Sequence, residues 1–154
     1  MTRVYRILRK PYSKKPLDGE GAYRYGGRWS SSGVRLAYTA EHLSLAMIEY
    51  FVHIDADDAP RDLVVITADV PDGVSRAAIS EKRLPANWRQ SPAPPGLAAI
   101  GDGFVSGCRA AVLIVPSVIA PAESNWLMNP RHPDFSTIRV RPPEKFRYDA
   151  RFCQ

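Results

Sequence analysis

The run Ala110-Ala-Val-Leu-Ile-Val115 is the longest purely apolar stretch of the chain, six residues long, and its reading decides the class of fold. Apolar throughout, it reads as a central strand buried on both faces. A membrane-spanning helix needs about 20 apolar residues, so the chain is not expected to span a membrane. Before this strand, Gly96 to Gly107 sets Leu97, Ile100, Phe104 and Val105 at near-helical spacing, although Gly101 and Gly103 weaken a helix there. After it, Pro116 to Pro133 holds four prolines and reads as a long loop, a kind of segment that is often functional. Thr137 to Arg141 alternates Ile138 and Val140 against charge and reads as an outer strand.

Upstream, Leu63 to Val70 is β-branched and apolar, a strand ended by Pro71-Asp72-Gly73. Val34 to Thr39 alternates, with Val34, Leu36 and Tyr38 on one face. Thr39 then suits a helix N-cap with Glu41 at N2, and the helix is expected from Ala40 to about Ile54. Arg3 to Leu8 is a first strand, Lys10 to Gly27 a glycine- and proline-punctuated loop, and Asp55 to Pro60 a turn. Ile79 to Leu84 suggests a short helix, and Asn87 to Pro95 is irregular. Five or six strands with two or three helices that do not strictly alternate argue against a doubly wound parallel sheet. They fit an α+β domain with a mixed, mainly antiparallel β core.

At 154 residues the chain is expected to form one domain over 1–154. Its 45% hydrophobic and 24% charged residues are those of a globular protein. The N-terminus alternates charge and apolar character without the apolar core of a signal peptide. Cys108 and Cys153 are too few for a disulfide framework, so reduced thiols in a cytoplasmic protein are expected. The formal charge of +5 favours an anionic ligand or partner: nucleotide, nucleic acid or acidic protein.

Three local anomalies carry the chemistry. Glu49 is the only charge in Ala46-Met-Ile-Glu-Tyr-Phe-Val52, on a helix apolar on nearly every face. Burying a carboxylate there costs several kcal/mol unless it is paired or neutral. It is either a core carboxylate bonded to an arginine or a functional one. In Gly26-Gly27-Arg28-Trp29 the glycines free the backbone for a sharp turn or a close approach to a ligand. Arg28 suits a bidentate phosphate contact, and Trp29 either stacks on a base or packs in the core. Third, Ser117, Ser124 and Asn125 follow the most buried strand and can donate to a ligand oxygen.

Other signals are missing. Gly19-Glu-Gly21-Ala-Tyr-Arg24 lacks the third glycine of a dinucleotide fingerprint, and no Walker A motif occurs. His42, His53 and His132 share no zinc-like spacing with the cysteines, so no metal is expected. Ser117, His132 and Asp134 are too common a trio to signal a hydrolase triad. Tyr23-Arg24-Tyr25 is too short for a nucleic-acid face.

Taken in chain order, five segments resemble the RES domain family, over nearly the whole chain from about Val4 to Phe152. They are Tyr5-Arg6; Gly27-Arg28-Trp29; Tyr38-Thr-Ala-Glu41 with Leu45-Ala-Met-Ile-Glu49; Val115-Pro-Ser117; and Asn125-Trp-Leu-Met-Asn-Pro-Arg-His-Pro133. The family is named for an arginine, a glutamate and a serine. Arg28 and Glu49 match the first two, and Ser117 the third, with Ser124 as the alternative. Asn129 to Pro133 is the most specific string.

The resemblance implies a growth-inhibiting toxin of a type II toxin–antitoxin system, paired with an Xre-type helix-turn-helix antitoxin in a hetero-oligomer. Nucleic acid would then be contacted only through the antitoxin. It implies a fold similar to ADP-ribosyltransferases of the diphtheria toxin type, and NAD as substrate, cleaved by hydrolysis or phosphorolysis, or used to ADP-ribosylate a protein. In that role Glu49 would stabilise positive charge on the ribose, and Arg28 or Arg6 would clamp the diphosphate. Tyr38 would wall the nicotinamide, Trp29 would contact the dinucleotide, and Ser117 and Asn125 would orient the amide or ribose. No second carboxylate is evident near Glu49, so the acceptor would attack without a dedicated base. Two other readings compete: a basic RNA-binding or RNA-cleaving toxin, and an inactive structural subunit with a Glu49–arginine core pair.

Overall fold

A computed structural model describes residues 1–153. The β-branched runs form the strands, and the longest of them pair with each other. Strand β1 (Thr2–Arg9) lies antiparallel to β3 (Leu63–Val70) along its full length, from Thr2↔Val70 to Arg9↔Leu63. A second block joins β2 (Ala37–Ala40), β6 (Ser124–Met128), β5 (Val112–Pro116) and β4 (Arg76–Ala78). In it, β4 and β5 are parallel and the other pairs antiparallel. Two short strands, β7 (Arg139–Val140) and β8 (Glu144–Lys145), both pair with the outer side of β3. The order is β4-β5-β6-β2-β1-β3-β7, a mixed and mainly antiparallel sheet. With three α-helices this is the expected α+β class.

The two blocks meet at a single pair, Tyr5↔Ala40. Beyond that pair β1 and β2 part, so the sheet is split between Arg6 on one side and Thr39 and Tyr38 on the other. Helix α2 (Leu43–Phe51) packs on β1 and β2 through Leu45 and Ala46, which meet Ile7, Ala40, Leu63 and Val65. Helix α3 (Pro95–Gly107) sets Leu97 against Leu113, Val115 and Leu127. Each such leucine contributes roughly 1.5–3 kcal/mol of burial. Gly101 lets α3 come close: a Cβ there would stand 1.6 Å from the Trp29 carbonyl oxygen. The opposite face of the sheet packs Val4, Ala37, Ala68, Val70, Trp126 and Met128 into a separate core.

Several expectations are corrected. The loop Lys10–Gly27 contains a short helix, α1 (Glu20–Tyr25). Gly19, read as a loop breaker, precedes it at φ +73°, and Asp18 accepts from the Glu20 N–H at 3.0 Å. Thr39 is not a helix cap. It lies in β2 opposite Trp126, and its hydroxyl donates to the Trp126 carbonyl at 2.7 Å. The helix therefore starts at Leu43, not Ala40, and ends at Phe51. The strand starts at Ala37, so Val34 to Leu36 precede it, while Leu36 and Tyr38 share a core as expected. The Ile79–Leu84 helix shrinks to a 3-10 turn over Glu81–Arg83. Within the supposed loop Pro116–Pro133 lies β6, in the interior of the sheet. Its prolines stand outside the strand, which leaves Ser124 to Met128 free to pair on both sides.

Candidate active site

Glu49 sits one helical turn after Leu45, so it shares the face that α2 turns to the sheet. Its carboxylate is half-buried, and both oxygens are held. The Ser117 hydroxyl donates to Oε1 at 2.9 Å, and Asn125 Nδ2 donates to Oε2 at 2.8 Å. Ser117 is fully buried at the end of β5. Its oxygen accepts from the Ile119 and Ala120 N–H groups, both at 3.2 Å, which commits its own proton to Glu49. Asn125 is positioned by the β2–β6 ladder, opposite Ala40, and its amide also donates to the Thr39 carbonyl at 3.2 Å.

Among the described residues no arginine or lysine forms an ion pair with Glu49. The reading of it as a core carboxylate bonded to an arginine is thereby overturned. Burial pushes its pKa above the usual glutamate range. The bonds from Asn125 and Ser117 oppose that rise, and the charge of Glu123 adds to it. The same geometry separates the two serines: Ser117 holds the glutamate, whereas the backbone N–H of Ser124 donates to Glu41 Oε1 at 2.8 Å.

A second group gathers at Tyr38. Its hydroxyl accepts from the Trp29 N–H at 3.0 Å and bonds the Ser30 hydroxyl at 2.8 Å. Burial raises its pKa, with smaller lowering effects from Ser30 and Trp29. Gly27 is required here, because a Cβ at that position would stand 2.6 Å from the Tyr38 oxygen. The Trp29 ring, 3% exposed, belongs to the core with Leu36, Leu97 and Trp88. Its expected contact with a dinucleotide is therefore corrected: the backbone N–H, not the ring, serves the site.

Arg28 donates through Nη1 to the carbonyls of Trp88 and Gln90, both at 2.9 Å. Arg6 donates to the Pro16 carbonyl at 3.2 Å from the strand edge where the sheet splits. Neither forms an ion pair among the described residues. Burial lowers both pKa values, and each guanidinium lies within electrostatic reach of Tyr38.

Glu49, Ser117 and Asn125 thus form one directly bonded unit. Tyr38, Arg28 and Arg6 form a looser one, joined to it through the three residues Tyr38-Thr39-Ala40 of β2. Glu49 and Arg28 are not directly bonded to each other; each has other partners. Two cavities of about 320 Å³ open elsewhere, one along β3 near Lys10 and Arg147, the other beside α3 near Phe104. Ligand atoms of Glu41, His42 and Glu123 lie within 4.8 Å of one another beside the site, a group that sequence reading missed. The three are adjacent only because the Glu41 N–H donates to the Ser124 carbonyl across β2 and β6.

A model of the RES domain matches residues 3–149. The chain belongs to the RES domain family. This RES domain is 37% identical over 147 residues to the Prs ADP-ribosylating toxin of Sphingobium sp. (strain YBL2), covering 94% of this chain and 91% of that protein. It is 34% identical over 149 residues to the Toxin Res of Yersinia enterocolitica, covering 96% and 97%. It is also 36% identical over 137 residues to the Toxin Res of Pseudomonas putida, covering 88% and 91%. These relatives carry the names of toxins. The fold of this RES domain is similar to that of a chain in the crystal structure of the M. tuberculosis MbcT-MbcA toxin–antitoxin complex. The TM-score is 0.75 at 18% identity, with 94% of this chain and 84% of that chain covered. Among the described residues no helix is long and apolar enough to cross a membrane.

Proposed function

We propose that this RES domain cleaves the nicotinamide–ribose bond of NAD and that Glu49 is its central catalytic group. The observation that carries the reading is a half-buried carboxylate that has no counter-cation among the described residues and is held by two neutral donors. Breaking the glycosidic bond builds positive charge on the ribose only as the transition state is approached. A carboxylate whose charge is not already spent on an arginine attracts that developing charge more strongly than it attracts the ground state. Ser117 and Asn125 fix its two oxygens, so little reorganisation is needed when the charge appears. Arg6 and Arg28 form no ion pair among the described residues, although the charge of Asp18 acts on Arg6, and both suit the diphosphate; Tyr38, within electrostatic reach of both, suits one wall of the nicotinamide site.

The acceptor divides the reading. Water or phosphate would give depletion of NAD, whereas a protein acceptor would give ADP-ribosylation. The similarity to the Sphingobium toxin, whose name states that activity, favours keeping the transferase as the second reading. The partner is an antitoxin, by analogy with the MbcT-MbcA complex, and an Xre-type helix-turn-helix protein is the form expected. The test is purified chain, freed of antitoxin, with NAD. Wild type releases nicotinamide and Glu49→Ala does not. Free ADP-ribose as the co-product supports hydrolysis, and ADP-ribose fixed on a cellular protein supports transfer. Absence of nicotinamide release with either acceptor refutes the reading.

A further inference from the structure

The β5–β6 ladder does not stop at Pro116↔Ser124. The Ser117 N–H donates to the Glu123 carbonyl at 2.9 Å, so Glu123 stands where the next residue of β6 would be. Two residues before Asn125 on the same line of chain, it falls on the same face, roughly 7 Å along at the strand rise. Asn125 is the residue that holds Glu49. Glu123 Oε1 is buried and has no hydrogen-bond donor among the described residues. By contrast, both oxygens of Glu49 and of Asp69 are bonded. An orphaned buried oxygen costs about 1–3 kcal/mol, and such groups are kept where they serve a function.

The surroundings add to this. The charge of Glu123 acts on Glu49, and Glu41 and His42 share the same rim. Glu41 Oε1 is occupied by the Ser124 N–H, and its one ionic neighbour is His42 at 3.8 Å. Three carboxylates, with no arginine or lysine ion pair among the described residues, make this side of the site negative. A negative rim repels phosphate and suits a neutral acceptor that must lose a proton.

We propose that Glu123 is the acceptor-side carboxylate: it takes the proton from a neutral hydroxyl acceptor, water in simple hydrolysis, and it disfavours inorganic phosphate as the attacking group. The inference rests on the reading of the site as an NAD-cleaving one. In the step, the ribose C1–nitrogen bond breaks and nicotinamide leaves neutral with the bonding pair. The acceptor oxygen forms the new bond to C1, and its proton passes to Glu123 and then to solvent. NAD and water thus give ADP-ribose, nicotinamide and one proton. The sequence offered no base for this step, because Ala120-Pro-Ala-Glu123 looks like a solvated turn.

The experiment uses the full chain with NAD at neutral pH, with and without millimolar inorganic phosphate, and quantifies nicotinamide, ADP-ribose and the phosphate adduct of ADP-ribose. Wild type yields ADP-ribose as the main product even with phosphate present. Glu123→Gln keeps KM for NAD but lowers kcat roughly 100-fold, and its products with phosphate shift toward the adduct. Glu123→Asp, which keeps the charge, recovers part of the rate and restores the wild-type product ratio. Phosphate adduct as the main wild-type product, or an unchanged kcat in Glu123→Gln, overturns the inference while leaving NAD cleavage intact. A wild type that releases no nicotinamide overturns both.

Discussion

Asp69 on β3 and Glu49 on α2 are both held at each carboxylate oxygen, and they are treated in opposite ways. Asp69, on β3 and only 4% exposed, is clamped by Arg3 Nε at 2.9 Å and Arg141 Nε at 2.8 Å. The hydrogen bond from Arg3 is the main cause that holds its pKa below the usual range. Glu49 has a hydroxyl and an amide instead, and burial drives its pKa the other way. The same chemical group is neutralised by two arginines at Asp69 and left with its charge unspent at Glu49, the site proposed for the chemistry. The difference teaches that the partner of a buried acid, more than its burial, separates a structural carboxylate from a functional one.

The comparison is sharpened most by stripping both donors from Glu49. Ser117→Ala combined with Asn125→Ala lowers nicotinamide release by about 100-fold or more, as read by chromatography. Retention of full activity would mean that fixing the carboxylate is irrelevant. The Ser117 change alone leaves the Ile119 and Ala120 N–H groups without their acceptor, and it costs about 1–3 kcal/mol in denaturant unfolding.

The pH dependences have opposite signs. The folded pKa of Asp69 is depressed, so its contribution to stability is present above its unfolded value and is lost as pH falls through the folded one. The folded pKa of Glu49 is raised, so its cost to stability is present at neutral pH and is relieved as pH falls through that value. With Glu49 acting in its ionised form, as proposed, the acid limb of kcat is expected above the ordinary glutamate range, while acid unfolding sets in lower. Coincidence of the two midpoints would remove the contrast. The smallest effects belong to the arms of the Asp69 clamp. Arg3→Gln or Arg141→Gln lowers the thermal midpoint less than Asp69→Asn and leaves nicotinamide release unchanged.

Much of this was legible in the residues. Leu63 to Val70 could be read to both ends because its apolar, β-branched run stops at Pro71 and Gly73. Glu49 stood out as the lone charge of its helix, and Ser117 and Asn125 as polar groups after the most buried strand. Strand β6 was hidden because prolines on both sides gave Ser124 to Met128 the look of a loop, although the ladder needs no proline within it. Helix α1 was hidden because Gly19 and Gly21 read as breakers, whereas Gly19 supplies the left-handed turn before the helix. The partner of Glu49 was not legible at all. Whether a buried acid meets an arginine or an amide depends on register across three elements far apart in the chain. The same holds for Glu123, whose place opposite Ser117 exists only once β5 and β6 have paired.

The decisive measurement is nicotinamide release from NAD by wild type and Glu49→Gln, with the thermal midpoint of each taken on the same preparations. The expected result is a folded Glu49→Gln protein, at least as stable as wild type, whose release of nicotinamide falls by two to three orders of magnitude, on the order of 3–4 kcal/mol in the barrier. A Glu49→Gln protein that is as active as wild type, or one that loses activity only because it unfolds as Asp69→Asn would, contradicts the account.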